Sequence, residues 1–214
     1  MLYKKLGHSN IKVSSICLGT MTWGEQNNQD EAFRQMDMAF DHGINFFDTA
    51  ELYPIPPSAN TQGETSRIIS KWINKKKNRD KLVIADKIVG RSSMDWFRDN
   101  GEETRLNKKQ IQFALERSLK NLDTDYIDLY QLHWPDRPLN VFSGLEYHHK
   151  DSNHVTPTLE TLDCLTDVVK EGKIKTIGLS NETAWGTFEF IKTAEMKNLE
   201  KIVSVQNPFN LLNR

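Results

Sequence analysis

Residues that can move protons recur in this sequence at one kind of place, the C-terminal end of a short apolar run. The run Ile44-Asn45-Phe46-Phe47 breaks at Asp48, and the polar loop that follows carries Tyr53. Leu82-Val83-Ile84-Ala85 leads to Asp86 and Lys87; Tyr126 to Leu132 leads to His133-Trp134-Pro135, where the proline marks the end of a strand. A carboxylate at the end of an apolar strand is costly to bury without a compensating cation or donors, so Lys87 is the expected partner of Asp48. A tyrosine, with an ordinary pKa of about 10, is a poor acid or base at neutral pH unless a nearby cation lowers it, and Lys87 can be that cation. His133 can donate a hydrogen bond to a substrate oxygen. Together, Asp48, Tyr53, Lys87 and His133 suit protonation of a carbonyl oxygen while a hydride reaches its carbon. Side chains carry no hydride, so a nicotinamide or flavin is implied.

Two later runs end in hydrogen-bonding groups: Ile174 to Leu179 meets Ser180-Asn181, and Ile202 to Val205 meets Gln206. A hydroxyl and two amides can hold a carboxamide-bearing ring against the strand ends. The glycines of Gly19-Thr20-Met21-Thr22-Trp23-Gly24 permit a tight loop and close backbone approach to a ligand. Trp23 and Trp134 read as lining a substrate pocket, with packing of a barrel rim as the alternative. No G-x-G-x-x-G or P-loop pattern occurs, which excludes those two nucleotide sites. Each residue also has a plain structural reading. Asp48 could cap the next element, Tyr53 sit half-buried in a loop, Lys87 face solvent, His133 fill the core, and Ser180-Asn181 cap the following helix. Their shared position at strand ends favours chemistry. No metal site is expected: His148, His149, His154 and Asp151 lack the helical spacing or cysteine pairs typical of zinc.

The elements that must position these groups alternate. A hairpin over 3–14 and a strand over 15–18 come first. Apolar periodicity then predicts helices over 30–42, 64–76, 107–122, 158–171 and 183–197, with the strands named above between them. Phe33, Met36, Ala39 and Phe40 form the inward face of the first helix, and Leu159, Leu162, Leu165, Val168 and Val169 that of the fourth. Such alternation means a parallel sheet with all C-terminal strand ends on one face, and a (β/α)8 TIM barrel is the architecture expected. A closed barrel needs eight strands and about 250 residues. Six are legible, so 1–214 is expected to be one barrel domain, incomplete at its C-terminus. The irregular stretch 138–157, with Phe142 and Tyr147, reads as a functional lid or disorder.

Composition narrows the classes. With 37% hydrophobic residues the 214-residue chain has ample core, and a net charge of −1 offers no basic field for nucleic acid. Cys17 and Cys164 stand alone and read as reduced, buried small hydrophobes. The N-terminus lacks a signal-type apolar segment, and no apolar run approaches the roughly 20 residues of a membrane span. A cytoplasmic protein without membrane insertion is expected; its oligomeric state stays open.

These motifs resemble the aldo-keto reductases. Phe47-Asp48-Thr49-Ala50-Glu51-Leu52-Tyr53, Asp128-Leu129-Tyr130-Gln131-Leu132-His133-Trp134-Pro135 and Ile177-Gly178-Leu179-Ser180-Asn181-Glu182-Thr183 look like family signatures in order and spacing. Arg137-Pro138-Leu139-Asn140 and the ending from Gln206 to Arg214 look like the bacterial Tas-type branch, related to potassium-channel β-subunits. The resemblance implies a barrel using NADPH to reduce an aldehyde or ketone, a small-molecule carbonyl substrate, to an alcohol. Asp48, Tyr53, Lys87 and His133 match its catalytic tetrad, with Tyr53 as proton donor. Gly19, Thr20, Met21, Ser180, Asn181 and Gln206 match positions around the nicotinamide. Competing readings are a lyase using Lys87 as a Schiff-base nucleophile, a nicotinamide-binding regulatory subunit with little turnover, and an inactive truncated fragment.

Overall fold

The computed structural model describes residues 1–139, 152 and 154–212. Strands β1 (Tyr3–Lys5) and β2 (Lys12–Ser14) form the antiparallel hairpin expected at the N-terminus. Strand and helix then alternate: β3 (Cys17–Gly19), α1 (Gln29–Asp41), β4 (Phe46–Asp48), α2 (Glu64–Lys76), β5 (Val83–Ile88), α3 (Lys108–Leu122), β6 (Ile127–Leu132), α4 (Thr158–Lys170), β7 (Ile174–Ser180), α5 (Ala184–Lys197) and β8 (Ile202–Gln206). The six strands β3 to β8 pair in parallel, and their spatial order is their chain order. That order has no reversal point, which separates barrel winding from a doubly wound sheet. The sheet curls as part of a (β/α)8 barrel.

Local chemistry explains the helix ends. Asn28 accepts from the Glu31 N–H while the Glu31 side chain accepts from the Asn28 N–H, a capping box at the start of α1. Asn107 caps α3 in the same sense. The cap of α5 is Thr183, not Ser180-Asn181, so those two residues are released from the capping role considered for them.

Alternation along the strands sorts side chains into two layers. Ile84, Ile88, Tyr130, Leu132 and Ile177 meet the helices, where Met36, Trp72, Ile111 and Leu165 complete the main core. Val83, Ala85 and Leu129 point the other way and pack with Leu6 and Val13 of the hairpin, which closes the end of the concave face opposite the polar strand ends. Gly7 allows that closure. Its φ is +57°, and a Cβ there would stand 2.4 Å from the Val203 carbonyl oxygen.

Three core expectations change. Cys17 is exposed, because β3 is the sheet edge and has a neighbour on one flank only; Cys164 is buried. Leu159 is exposed, because the first turn of α4 lies beyond the packed part of that helix. Trp23 is fully buried in the main core, its indole N–H donating to Gln35 Oε1 at 2.9 Å.

Candidate active site

Parity and register assemble the site. On β5 the residue after Asp86 has the inward parity of Val83 and Ala85, so Lys87 projects into the concave face from within the strand rather than from a loop beyond it. On β6 the inward residue at the same level is Gln131, whose Cα pairs with that of Lys87, and Gly178 on β7 is its next neighbour. A Cβ on Gly178 would lie 3.1 Å from Gln131 Cγ and 2.7 Å from Ser204 Oγ, so the glycine makes room for the glutamine.

The Lys87 ammonium is 2.6 Å from Asp48 Oδ2, 3.0 Å from the Thr49 carbonyl oxygen and 3.4 Å from Tyr53 Oη. Asp48 keeps its second oxygen for the Gln131 amide at 3.2 Å, while the Gln206 amide reaches Oδ2 at 3.3 Å. The Tyr53 and His133 rings meet edge to face with centroids 5.8 Å apart. Asn181, at a left-handed φ of +49°, donates from Nδ2 to the His133 carbonyl oxygen at 2.9 Å, and Ser180 Oγ donates to the Gln206 carbonyl oxygen at 3.1 Å.

Burial sets the protonation states. It pulls the Lys87 ammonium toward neutrality, but Asp48 and Tyr53 outweigh it and leave the lysine above its usual value, fully charged. The Tyr53 phenol moves up, not down: burial raises it more than Lys87 lowers it, which reverses the direction expected from the cation alone. Tyr53 is therefore a phenol at neutral pH, a form that can donate. Burial, then Lys87, hold His133 well below the usual histidine range, so its imidazole is neutral. Its Nδ1 has no hydrogen-bond partner among the described residues.

A cavity of about 770 Å³ opens over these groups. Tyr53, Lys87 and His133 lie in its wall; Ser180, Asn181 and Gln206 line it too, as does Met21. Leu52, Ile55, Met94 and Trp134 supply an apolar side. Trp134 thus stands where the sequence reading put it. Trp23 does not, because its loop turns the indole into the core, and the pocket role is withdrawn. Gly19 and Thr20 also stand off the wall; the Thr20 hydroxyl is buried and donates to the Asp48 carbonyl oxygen at 2.8 Å, a brace between β3 and β4. Among the described residues no three His, Cys, Asp or Glu side chains cluster as a metal site. Phe142, Tyr147, His148, His149 and Asp151 lie outside the described residues.

Sequence reasoning passed over Gln131 and the pair Glu51–Arg98. Gln131 had a usable signal, a polar side chain sharing strand parity with Leu129 and His133. Arg98 had none, since it meets Glu51 across 47 residues.

A parallel sheet wound in barrel order, with a buried lysine between a carboxylate and a tyrosine at its strand ends, is the architecture of a (β/α)8-barrel protein with an ionisable cluster where such barrels place their active sites. The chain belongs to the aldo/keto reductase family, whose model matches residues 15–214. It is 46% identical over 218 residues to protein tas of Escherichia coli K12, covering all of this chain and 62% of that protein. It is 36% identical over 216 residues to the uncharacterized oxidoreductase YrpG of Bacillus subtilis, covering all of this chain and 60% of that one. A thermostable aldo-keto reductase crystallised with the inhibitor epalrestat superposes with a TM-score of 0.71 at 29% identity, over 98% of this chain and 63% of that one. The chain thus spans about three-fifths of the length of these relatives. Among the described residues no helix is long and apolar enough to cross a membrane.

Proposed function

We propose that this chain carries the catalytic centre of an NADPH-dependent carbonyl reductase that converts an aldehyde or ketone to an alcohol, with Tyr53 as the proton donor. The observation that carries the reading is the Lys87 ammonium, held at 2.6 Å by Asp48 and 3.4 Å from the Tyr53 hydroxyl at the floor of the cavity. A substrate oxygen seated beside Tyr53 can take the phenol proton, and Lys87 stabilises the oxygen left behind. The neutral imidazole of His133, on the same wall, is suited to donate a hydrogen bond and orient the carbonyl without adding a second cation. Leu52, Ile55, Met94 and Trp134 keep the far side apolar, which favours an organic group of some bulk over a small hydrated aldehyde.

The donor set fits a nicotinamide. Ser180, Asn181 and Gln206 share one wall with Tyr53 and His133, so the carboxamide of the ring would meet hydroxyl and amide groups there. The cofactor supplies the hydride. The preference for the phosphorylated cofactor rests on the family resemblance. A fully charged Lys87 disfavours the Schiff-base reading, which needs the free amine.

The test is aldehyde turnover with NADPH and with NADH, alongside fluorescence titration of both cofactors. Turnover is expected with NADPH and should fall on the order of 1,000-fold in Tyr53→Phe with cofactor affinity kept, since a general acid contributes roughly 100- to 10,000-fold. Undiminished turnover in Tyr53→Phe would remove the tyrosine from its role.

A further inference from the structure

We propose that Glu51 and Arg98, a buried ion pair outside the cavity, are positioning residues that latch the Tyr53 loop to the end of β5 and so set the distance between Tyr53 and Lys87. The proposal rests on the reductase reading of the site. Neither residue lines the cavity, and both side chains are almost wholly buried, 4% and 2% exposed.

The connections run in three directions from one residue. Glu51 lies between Asp48 and Tyr53 in the chain, and its backbone N–H donates to the Lys87 carbonyl oxygen at 2.8 Å. Its Oε2 accepts from the Val89 N–H at 3.0 Å, two residues beyond Lys87. Its Oε1 accepts from Arg98 Nη1. Arg98 is itself fixed, because Nε donates to Gln110 Oε1 on α3 at 3.0 Å and Nη1 to the Phe97 carbonyl oxygen at 2.9 Å. The loop that carries the phenol is thereby tied to the residue that carries the ammonium and to the residue two places beyond it.

An ion pair is a poor choice for stability alone, since a well-packed apolar pair of similar volume often does as well or better. What it adds here is direction. A carboxylate with one oxygen on a backbone N–H and the other on a fixed guanidinium admits one placement of the loop, whereas an apolar contact tolerates sliding. The 3.4 Å between Tyr53 Oη and Lys87 Nζ depends on that placement, and a misplacement of about 1 Å can cost on the order of 100-fold in rate.

The experiment compares the full chain with Glu51→Gln and with Arg98→Lys, which keeps the cation but not the fork. Three readouts are taken: steady-state reduction of an aromatic aldehyde, NADPH titration to count folded sites, and hydrogen exchange over 49–53 and 87–90. The latch predicts that kcat per cofactor-binding site falls on the order of 100-fold in Glu51→Gln. KM and NADPH affinity should stay within about threefold, exchange in both segments should rise together, and Arg98→Lys, which keeps the cation, should lose less of kcat than Glu51→Gln. A structural role alone would lower the number of binding sites and leave kcat per site at the parent value; that result overturns the proposal. So does unchanged exchange in a folded Glu51→Gln. If the parent reduces no carbonyl compound while exchange still rises in both segments, the latch stands and the reductase reading fails.

Discussion

Replacing Lys87 by methionine removes the ammonium beside Tyr53 while roughly keeping the volume of the side chain. As Tyr53 gives up its proton, its oxygen becomes anionic 3.4 Å from Lys87 Nζ. A pair of unit charges at that separation attracts by about 5 kcal/mol at an effective dielectric constant near 20. The Asp48 carboxylate, 2.6 Å from the same ammonium, has the opposite sign and offsets roughly half of this. What remains, about 2–3 kcal/mol of transition-state stabilisation, corresponds to roughly 30- to 150-fold in rate at about 1.4 kcal/mol per decade. The methionine also leaves Asp48 buried with only the Gln131 and Gln206 amides, an orphaned charge that costs stability. The double variant Lys87→Met/Asp48→Asn removes that complication and should keep the fold. The assay is single-turnover reduction of an aldehyde by protein saturated with NADPH, so that cofactor binding does not enter the rate. The double variant, which removes both charges, should fall by the stated factor; Lys87→Met alone keeps the Asp48 carboxylate and should fall further, toward the roughly 1,000-fold or more of the unopposed attraction. A Lys87→Met protein that is folded, saturated and within threefold of the parent would refute the electrostatic argument.

Two other outcomes follow from burial. The Asp86 carboxyl, on the helix-facing side of β5 beside Tyr130, is pushed up to about 6 by burial against the opposing pull of Ser118. The native state therefore holds a proton between the unfolded carboxyl value and about 6, and stability falls as pH rises through that window. Asp86→Asn should raise stability at pH 8 by up to about 3 kcal/mol and change it little at pH 4, measured by denaturant unfolding at both. The two tryptophans separate core from cavity. Trp23→Phe and Trp134→Phe each lose one indole hydrogen bond, to Gln35 and to the Arg91 carbonyl oxygen, and should each destabilise by about 1 kcal/mol. Only Trp134→Phe should change KM for a bulky aldehyde; an equal change in Trp23→Phe would contradict its burial.

The alternating elements and most helix bounds were legible in the chain. The span Glu64–Lys76 of α2 was read correctly at both ends, because its apolar residues Ile68, Ile69, Trp72 and Ile73 repeat with helical period within one contiguous segment. Six strands, five of them ending in a polar or reactive group, were visible as short apolar runs, and so was the likeness to known family signatures at those ends. Periodicity is a property of neighbours in sequence, and a reader of the sequence has those neighbours in view.

Trp23, Tyr53 and Glu51 show where that view stops. An indole after a glycine loop has the same composition whether it turns into the core or lines a cavity, and only the packing of its loop against α1 and α2 separates the two. The direction of the Tyr53 shift is a difference between desolvation, summed over every atom that covers the ring, and attraction to one ammonium, fixed by a single distance. Glu51 finds Arg98 from 47 residues away, and Gln131 reaches Asp48 across 83. Chemical types and element order are written in contiguous residues. Burial, pair distances and protonation states arise between residues remote in the chain, and they take their values only once the strands are in register.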